Sequence, residues 1–222
     1  MEAFALIDPI VRFFQTGGAF MYPIVAVLAL GIAIAIERYI TLTRARRTSQ
    51  KNWEEIRPML EHGQFDEVYE FTGDADTHVN RLINLGLGRR ASARRRDDIE
   101  IAMEEGMMEI IPQLEKRTHY LALFANIATL LGLLGTIMGL IEAFTAVSAA
   151  NPAEKADLLS ASISVAMNTT AFGLMAGIPL LLLHAYLSTK TSDLVDSLEM
   201  ASVKTLNLIT EFGKRDQPQA TS

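Results

Sequence analysis

The sequence predicts an all-α polytopic membrane protein with three transmembrane helices and a cytoplasmic helical bundle. Two observations carry that prediction. Half of the 222 residues are hydrophobic although 21% are charged, and the charges are segregated: 13–36, 118–141 and 158–189 contain no Asp, Glu, Lys or Arg. A membrane-spanning helix needs about 20 apolar residues, so all three runs are long enough. They are continuously apolar rather than alternating, which excludes a β-barrel as well as a fully soluble protein. The second observation is a charge asymmetry. Arg44 to Arg117 holds 13 Lys and Arg, whereas 142–157 holds one, Lys155, and the segment ahead of the first run holds one, Arg12. Cytoplasmic loops collect Lys and Arg, most strongly beside a span, and Arg44, Arg46, Arg47 and Lys51 follow the first run closely. The expected topology therefore has the N-terminus outside and the C-terminus inside.

Composition narrows the function. The formal charge of −6 carries no basic excess, so no nucleic-acid partner is expected. There is no cysteine, and His62, His78, His119 and His184 are scattered, so neither a metal site nor any other cofactor is expected. Nothing resembles a phosphate loop or a catalytic triad, and an enzyme has no support. The start, Met-Glu-Ala with Asp8 and Arg12 before the first run, lacks the basic opening of a cleaved leader, so the first span is expected to be kept.

The elements follow in order. Asp8-Pro9 is a helix start and Gly17-Gly18 a stop, giving an outer-face amphipathic helix over 1–19. The first transmembrane helix occupies 20–40. A cytoplasmic helical region covers 41–117, with short helices over 52–61, 65–71 and 77–87 and a longer one capped by Asp97-Asp98. That last helix has Ile99, Ala102, Met103, Gly106, Met107, Ile110 and Leu114 at helical spacing. It has no clear break before the second span except a kink at Pro112. The second transmembrane helix is 118–146, followed by a short outer loop over 147–157 and the third transmembrane helix over 158–189. As a helix the third run covers about 48 Å, against a hydrocarbon core of about 30 Å. It is therefore expected to continue into the cytoplasm over 190–212, ahead of a disordered tail over 213–222.

Candidate functional residues lie in the second and third spans. Asn126, Thr129, Gly132, Thr136, Gly139 and Ala143 recur in steps of 3 or 4 and share one helix face. Ser162, Ala166, Thr170, Gly173 and Gly177 make a matching stripe. Membrane helices use small residues for tight packing, which is one reading of both stripes. The other is a polar lining. With outer boundaries near Ala146 and Ser160, Thr136 and Thr170 both lie about 15 Å deep. No Asp, Glu, Lys or Arg occurs at mid-depth, so a proton path would need a partner to supply the ionisable group. Glu142 reads as a headgroup-level acid and His184 as an interfacial side chain. Arg89, Arg90, Arg94, Arg95 and Arg96 read as a solvated or salt-bridged face.

Gly132-Leu-Leu-Gly-Thr136-Ile-Met-Gly139-Leu-Ile-Glu-Ala-Phe144 resembles the second-span motif of the MotA/TolQ/ExbB family, and Thr170-Ala-Phe-Gly173-Leu resembles its third-span motif. Gly17-Gly-Ala-Phe-Met-Tyr-Pro23, Glu37-Arg38, Ile99-Glu-Ile-Ala-Met-Glu-Glu105 and Leu114-Glu115 are similar to the ExbB/TolQ branch. The resemblance covers about residues 10–205, and three spans rather than four favour ExbB/TolQ over the flagellar stator. It implies a homopentamer in the bacterial inner membrane, with the 147–157 loop in the periplasm. The pentamer would surround ExbD- or TolR-like single-span chains, each carrying a transmembrane Asp, and a TonB/TolA-like transducer would pass the motion on. It assigns Thr136 and Thr170 to the ion pathway, facing that Asp, with Thr169 beside them. Gly132, Gly139, Gly173 and Gly177 are the pore-helix packing positions. Val165 stands where many relatives carry Glu and Thr129 where many carry Pro, and Thr169-Thr170 is paired as in sodium-driven stators. Proton coupling is the first expectation. A sodium-driven or stator-like subunit, or a structural scaffold, stays open.

Overall fold

A computed structural model describes residues 17–73, 77–90 and 95–215. Nearly all of the expected 1–19 helix, and the tail beyond Arg215, lie outside them. The described residues are all-helical: α1 (Met21–Glu61), α2 (Phe65–Gly73), α3 (His78–Arg90), α4 (Arg96–Glu115), α5 (His119–Ala149) and α6 (Lys155–Arg215). Three helices are long and apolar enough to cross a membrane: α1, α5 with α4 leading into it, and α6.

Three details differ from the sequence reading. The segment 52–61 is not a separate helix but the end of a 41-residue α1. Between Gly31 and Pro58 there is no glycine or proline to break it, and the Arg, Gln, Lys and Glu that replace the apolar residues are good helix formers. The second difference is the break before α5. α4 passes through Pro112 and ends at Glu115, and the chain turns at Arg117, whose φ of 66° is left-handed. A side chain with a Cβ is unfavourable there; the Arg117 guanidinium is anchored 3.2 Å from a carboxylate oxygen of Glu37. Lastly, α6 continues to Arg215, past the expected 212 boundary. The expected stop at His62-Gly63 is present. Gly63 has φ 77°, and the Gln64 amide donates to the Met59 carbonyl at 3.0 Å, closing the end of α1.

The chain divides into two compact units. The first holds residues up to Glu37 and Arg117–Tyr186. Ile24 of α1, Ala128 of α5 and Ala176 of α6 are fully buried at its centre, with Val27, Leu28, Leu131 and Phe172 packed on them. Leu30, Leu130, Leu133, Met175 and Leu182 are exposed around it, a surface suited to hydrocarbon rather than water.

The second unit holds Arg38–Lys116 and the chain from Leu187. Its core is apolar, with Ile56, Leu60, Leu82, Ile83, Met103 and Ile110 fully buried. α3 and α4 cross closely because Gly86 lies under Met103 and Gly106 under Leu85. Asn52 donates to Asn80 Oδ1 at 3.0 Å and to Thr77 Oγ1 at 3.1 Å, a polar clasp beside that core. α4 begins with Asp98 accepting the Arg95 amide at 3.0 Å, which satisfies one terminal donor. At its other end Arg38, only 3% exposed, donates to the carbonyl of Leu114. A cation on a helix C-terminal carbonyl satisfies an orphan acceptor and opposes the helix dipole.

Replacing Arg38 by Met leaves that buried carbonyl without its donor. The expected cost is about 1–3 kcal/mol, read as a lower melting temperature in detergent, with Arg38→Lys recovering part of it.

Candidate ion-pathway site

The site is built on the crossing of α5 and α6. A Cβ on Gly173 would lie 2.7 Å from the Ala128 carbonyl oxygen and 2.9 Å from Gly132 Cα. A Cβ on Gly132 would lie 3.1 Å from Gly173 Cα. These obstacles are backbone and cannot swing aside, so position 173 requires glycine, and a side chain at 132 would push the two backbones apart by a few tenths of an ångström. The contact extends along both helices: Gly139 meets Ala166, and Gly177 meets Thr129 and the Ala125 carbonyl. The four packing glycines therefore lie together on one helix–helix contact within a single chain.

The close approach brings Thr136 and Thr170 together. Their hydroxyls are hydrogen-bonded to each other. The Thr170 hydroxyl lies 2.9 Å from the Gly132 carbonyl oxygen, and the Thr136 hydroxyl 3.2 Å from the same atom. Each hydroxyl has one proton and two acceptor lone pairs. Two protons shared among three oxygens leave acceptor capacity on the pair, and both residues are only half-buried. Such a cluster can solvate a cation or accept a hydrogen bond from a protonated carboxyl group.

Thr169 is not part of it. One residue along a helix is a rotation of about 100°, which turns Thr169 inward to 2% exposure. Its hydroxyl lies 2.5 Å from the Gly17 carbonyl oxygen and 3.0 Å from that of Val165. It ties the turn before α1 to α6. Its methyl packs on Gly135, a residue off the small-residue stripe whose only signal was its place in the glycine-rich run. Among the other candidates, Asn126 and Glu142 are exposed, His184 is half-buried, and Thr129 donates to the Ala125 carbonyl at 3.0 Å. Val165 lies against Gly18. No cluster that could hold a metal ion occurs among the described residues.

Residues 74–200, more than half of the chain, match the MotA/TolQ/ExbB proton channel family. This chain belongs to that family. An ExbB homologue of Methanothermobacter thermautotrophicus is 28% identical over 203 residues, 87% of this chain and 71% of its own. The Tol-Pal system protein TolQ of Haemophilus influenzae is 35% identical over 91 residues, 41% of this chain and 40% of its own. A chain of the solved structure of C. jejuni MotAB aligns over 99% of this chain and 96% of its own, at 14% identity and a TM-score of 0.47, a likeness too loose to argue from. The MotA/TolQ/ExbB match includes α3, α4, α5 and most of α6, and hence every residue of the Thr136–Thr170 cluster.

Two substitutions test the packing contacts. Gly173→Leu places a side chain against backbone at the crossing and is expected to cost about 1–3 kcal/mol, seen as a lower melting temperature in detergent. Thr169→Val removes the tie to Gly17. It is expected to lower stability by about 1–2 kcal/mol while leaving the Thr136–Thr170 pair intact, measured as a shift in thermal melting.

Proposed function

We propose that this chain is the ExbB/TolQ-like subunit of an ion-driven motor of the bacterial inner membrane. Five copies form a channel around ExbD/TolR-like single-span chains. Proton flow past the partner's transmembrane Asp is coupled to work on an outer-membrane or periplasmic client through a TonB/TolA-like transducer. The N-terminus is periplasmic, and the unit built on α2, α3 and α4 is cytoplasmic.

The observation that carries this reading is the hydroxyl–hydroxyl–carbonyl cluster of Thr136, Thr170 and Gly132. It combines oxygen acceptors with the absence of any Asp, Glu, Lys or Arg from 118–141 and 158–189. Proton paths through membranes use an ionisable group. A chain that offers only neutral oxygens at that depth suits a partner that brings the carboxyl. The Asp of the single-span chain would exchange its proton against Thr170 and Thr136. Gly132, Gly139, Gly173 and Gly177 hold the two helices close enough to present both hydroxyls. The pairing of Thr169 with Thr170 is one of the features that point to sodium, beside Val165 and Thr129, and the Thr169 hydroxyl is engaged by Gly17, which supports the proton.

The test is co-reconstitution with an Asp-bearing single-span partner in proteoliposomes under a pH gradient. Thr170→Val is expected to lower proton flux about tenfold, equivalent to about 1.4 kcal/mol at the barrier. Thr136→Val should lower it less, Thr170→Ser should keep most of it, and the oligomer should persist in native mass spectrometry. Flux and assembly lost together would assign the threonines to packing alone. Flux driven by a sodium gradient with the proton gradient collapsed would assign the ion to sodium and require Thr169 to release Gly17.

A further inference from the structure

The second unit carries a groove between α4 and the distal part of α6. It has a volume of about 440 Å³, with a floor of Met107, Met108, Ile111, Val203 and Leu206. Met108 is 71% exposed and Val203 55%. Met107 and Leu206 are buried beneath them, so the exposed Met108 and Val203 offer a partner an apolar contact inside a polar rim. The rim is acidic, formed by Glu100, Glu104 and Glu199. Glu100 has Arg96 at 4.0 Å, whereas Glu104 and Glu199 enter no ion pair among the described residues.

The complementary surface occurs on the same unit, on α1. Arg44, Arg47 and Lys51 are exposed at spacings of 3 and 4, and exposed Ile40 continues the same face. The buried positions of this part of α1, Leu42, Ser49, Ile56 and Leu60, lie on the opposite side of the helix, so the basic stripe points away from its own protomer. Lys51 reaches Glu55 at 3.8 Å, and neither Arg44 nor Arg47 is in an ion pair among the described residues. No α1 residue lines the groove. One copy thus carries an acid-rimmed apolar groove and, on another helix, a basic stripe with an apolar member.

We propose that the α4–α6 groove receives the Ile40–Lys51 face of α1 from a second copy of this chain. The interface is heterologous, groove to stripe, and a contact of that type makes a ring where the rotation between copies closes and an open filament where it does not. The apolar floor excludes water while the rim charges fix register and discourage wrong pairings. This rests on the multi-copy channel proposed above and adds which surfaces join the copies.

The natural absence of cysteine makes the test direct. Glu104→Cys and Arg47→Cys are placed singly and together in the full chain in native membranes, then treated with a short bis-maleimide. The double variant is expected to give a ladder of cross-linked multimers on a denaturing gel. Each single variant should give none, and a mixture of the two singles should give a dimer and no ladder. In parallel, Glu104→Lys with Glu199→Lys should weaken the oligomer, and Arg44→Glu with Arg47→Glu in the same chain should restore it. A double variant that stays monomeric on the gel, or cross-links to another membrane protein or within one chain, overturns the proposal. So does either single variant forming a dimer. Native mass spectrometry of the unmodified protein separates the two ideas: an oligomer without the ladder sinks only this interface, whereas a monomer sinks the channel reading with it.

Discussion

The backbone-to-backbone approach of α5 and α6 at Gly132 and Gly173 is the contact on which the rest of the first unit depends. Lipid tails are as apolar as leucine, so membrane helices gain nothing by hiding hydrocarbon from lipid and must associate through close packing and hydrogen bonds. Glycine allows both. It removes the side chain that would hold the helices apart, and it uncovers the Gly132 carbonyl to a donor from the other helix. Thr136 is one turn from Gly132, and Thr170 nearly one turn from Gly173. Once the glycines touch, the two hydroxyls have to meet. The tight glycine packing and the paired hydroxyls are two consequences of one contact.

The same contact explains why adjacent threonines have different surroundings. Thr170 lies beside the helix crossing and keeps acceptor capacity on a half-buried edge. Thr169 is rotated inward, where its hydroxyl lies against the Gly17 carbonyl and its methyl against Gly135. A hydroxyl bonded to a carbonyl in a dry interior is a structural tie, since losing it leaves a buried acceptor unsatisfied.

The Glu37-Arg38 pair divides its work in a similar way. Glu37 anchors Arg117, the described non-glycine residue with a left-handed backbone. Arg38 satisfies the end of α4 from within the second unit. The turn between α4 and α5 thus relies on charged groups rather than on a helix-breaking residue. Pro112 passes without ending the helix, and the chain turns at Lys116–Thr118 instead.

Much of this was legible in the sequence because it depends on one helix at a time. Charge-free runs marked the three long apolar helices, and His62-Gly63 marked the end of α1. The 3–4 spacing put Gly132, Thr136 and Gly139 on one face. The lack of a mid-span carboxylate is a matter of composition alone. What required tertiary structure was every relation between helices. Periodicity gives a residue's angle about its own axis but says nothing of which neighbour stands at that angle. A membrane threonine can satisfy its hydroxyl on the carbonyl four residues back, as Thr136, Thr169 and Thr129 all do, so its sequence leaves no trace of a cross-helix partner. The Thr136–Thr170 pair, the inward turn of Thr169 and the need for Gly135 were decided by the packing of α5 and α6 and the tie to Gly17, because only there do the angles of separate helices become fixed against one another.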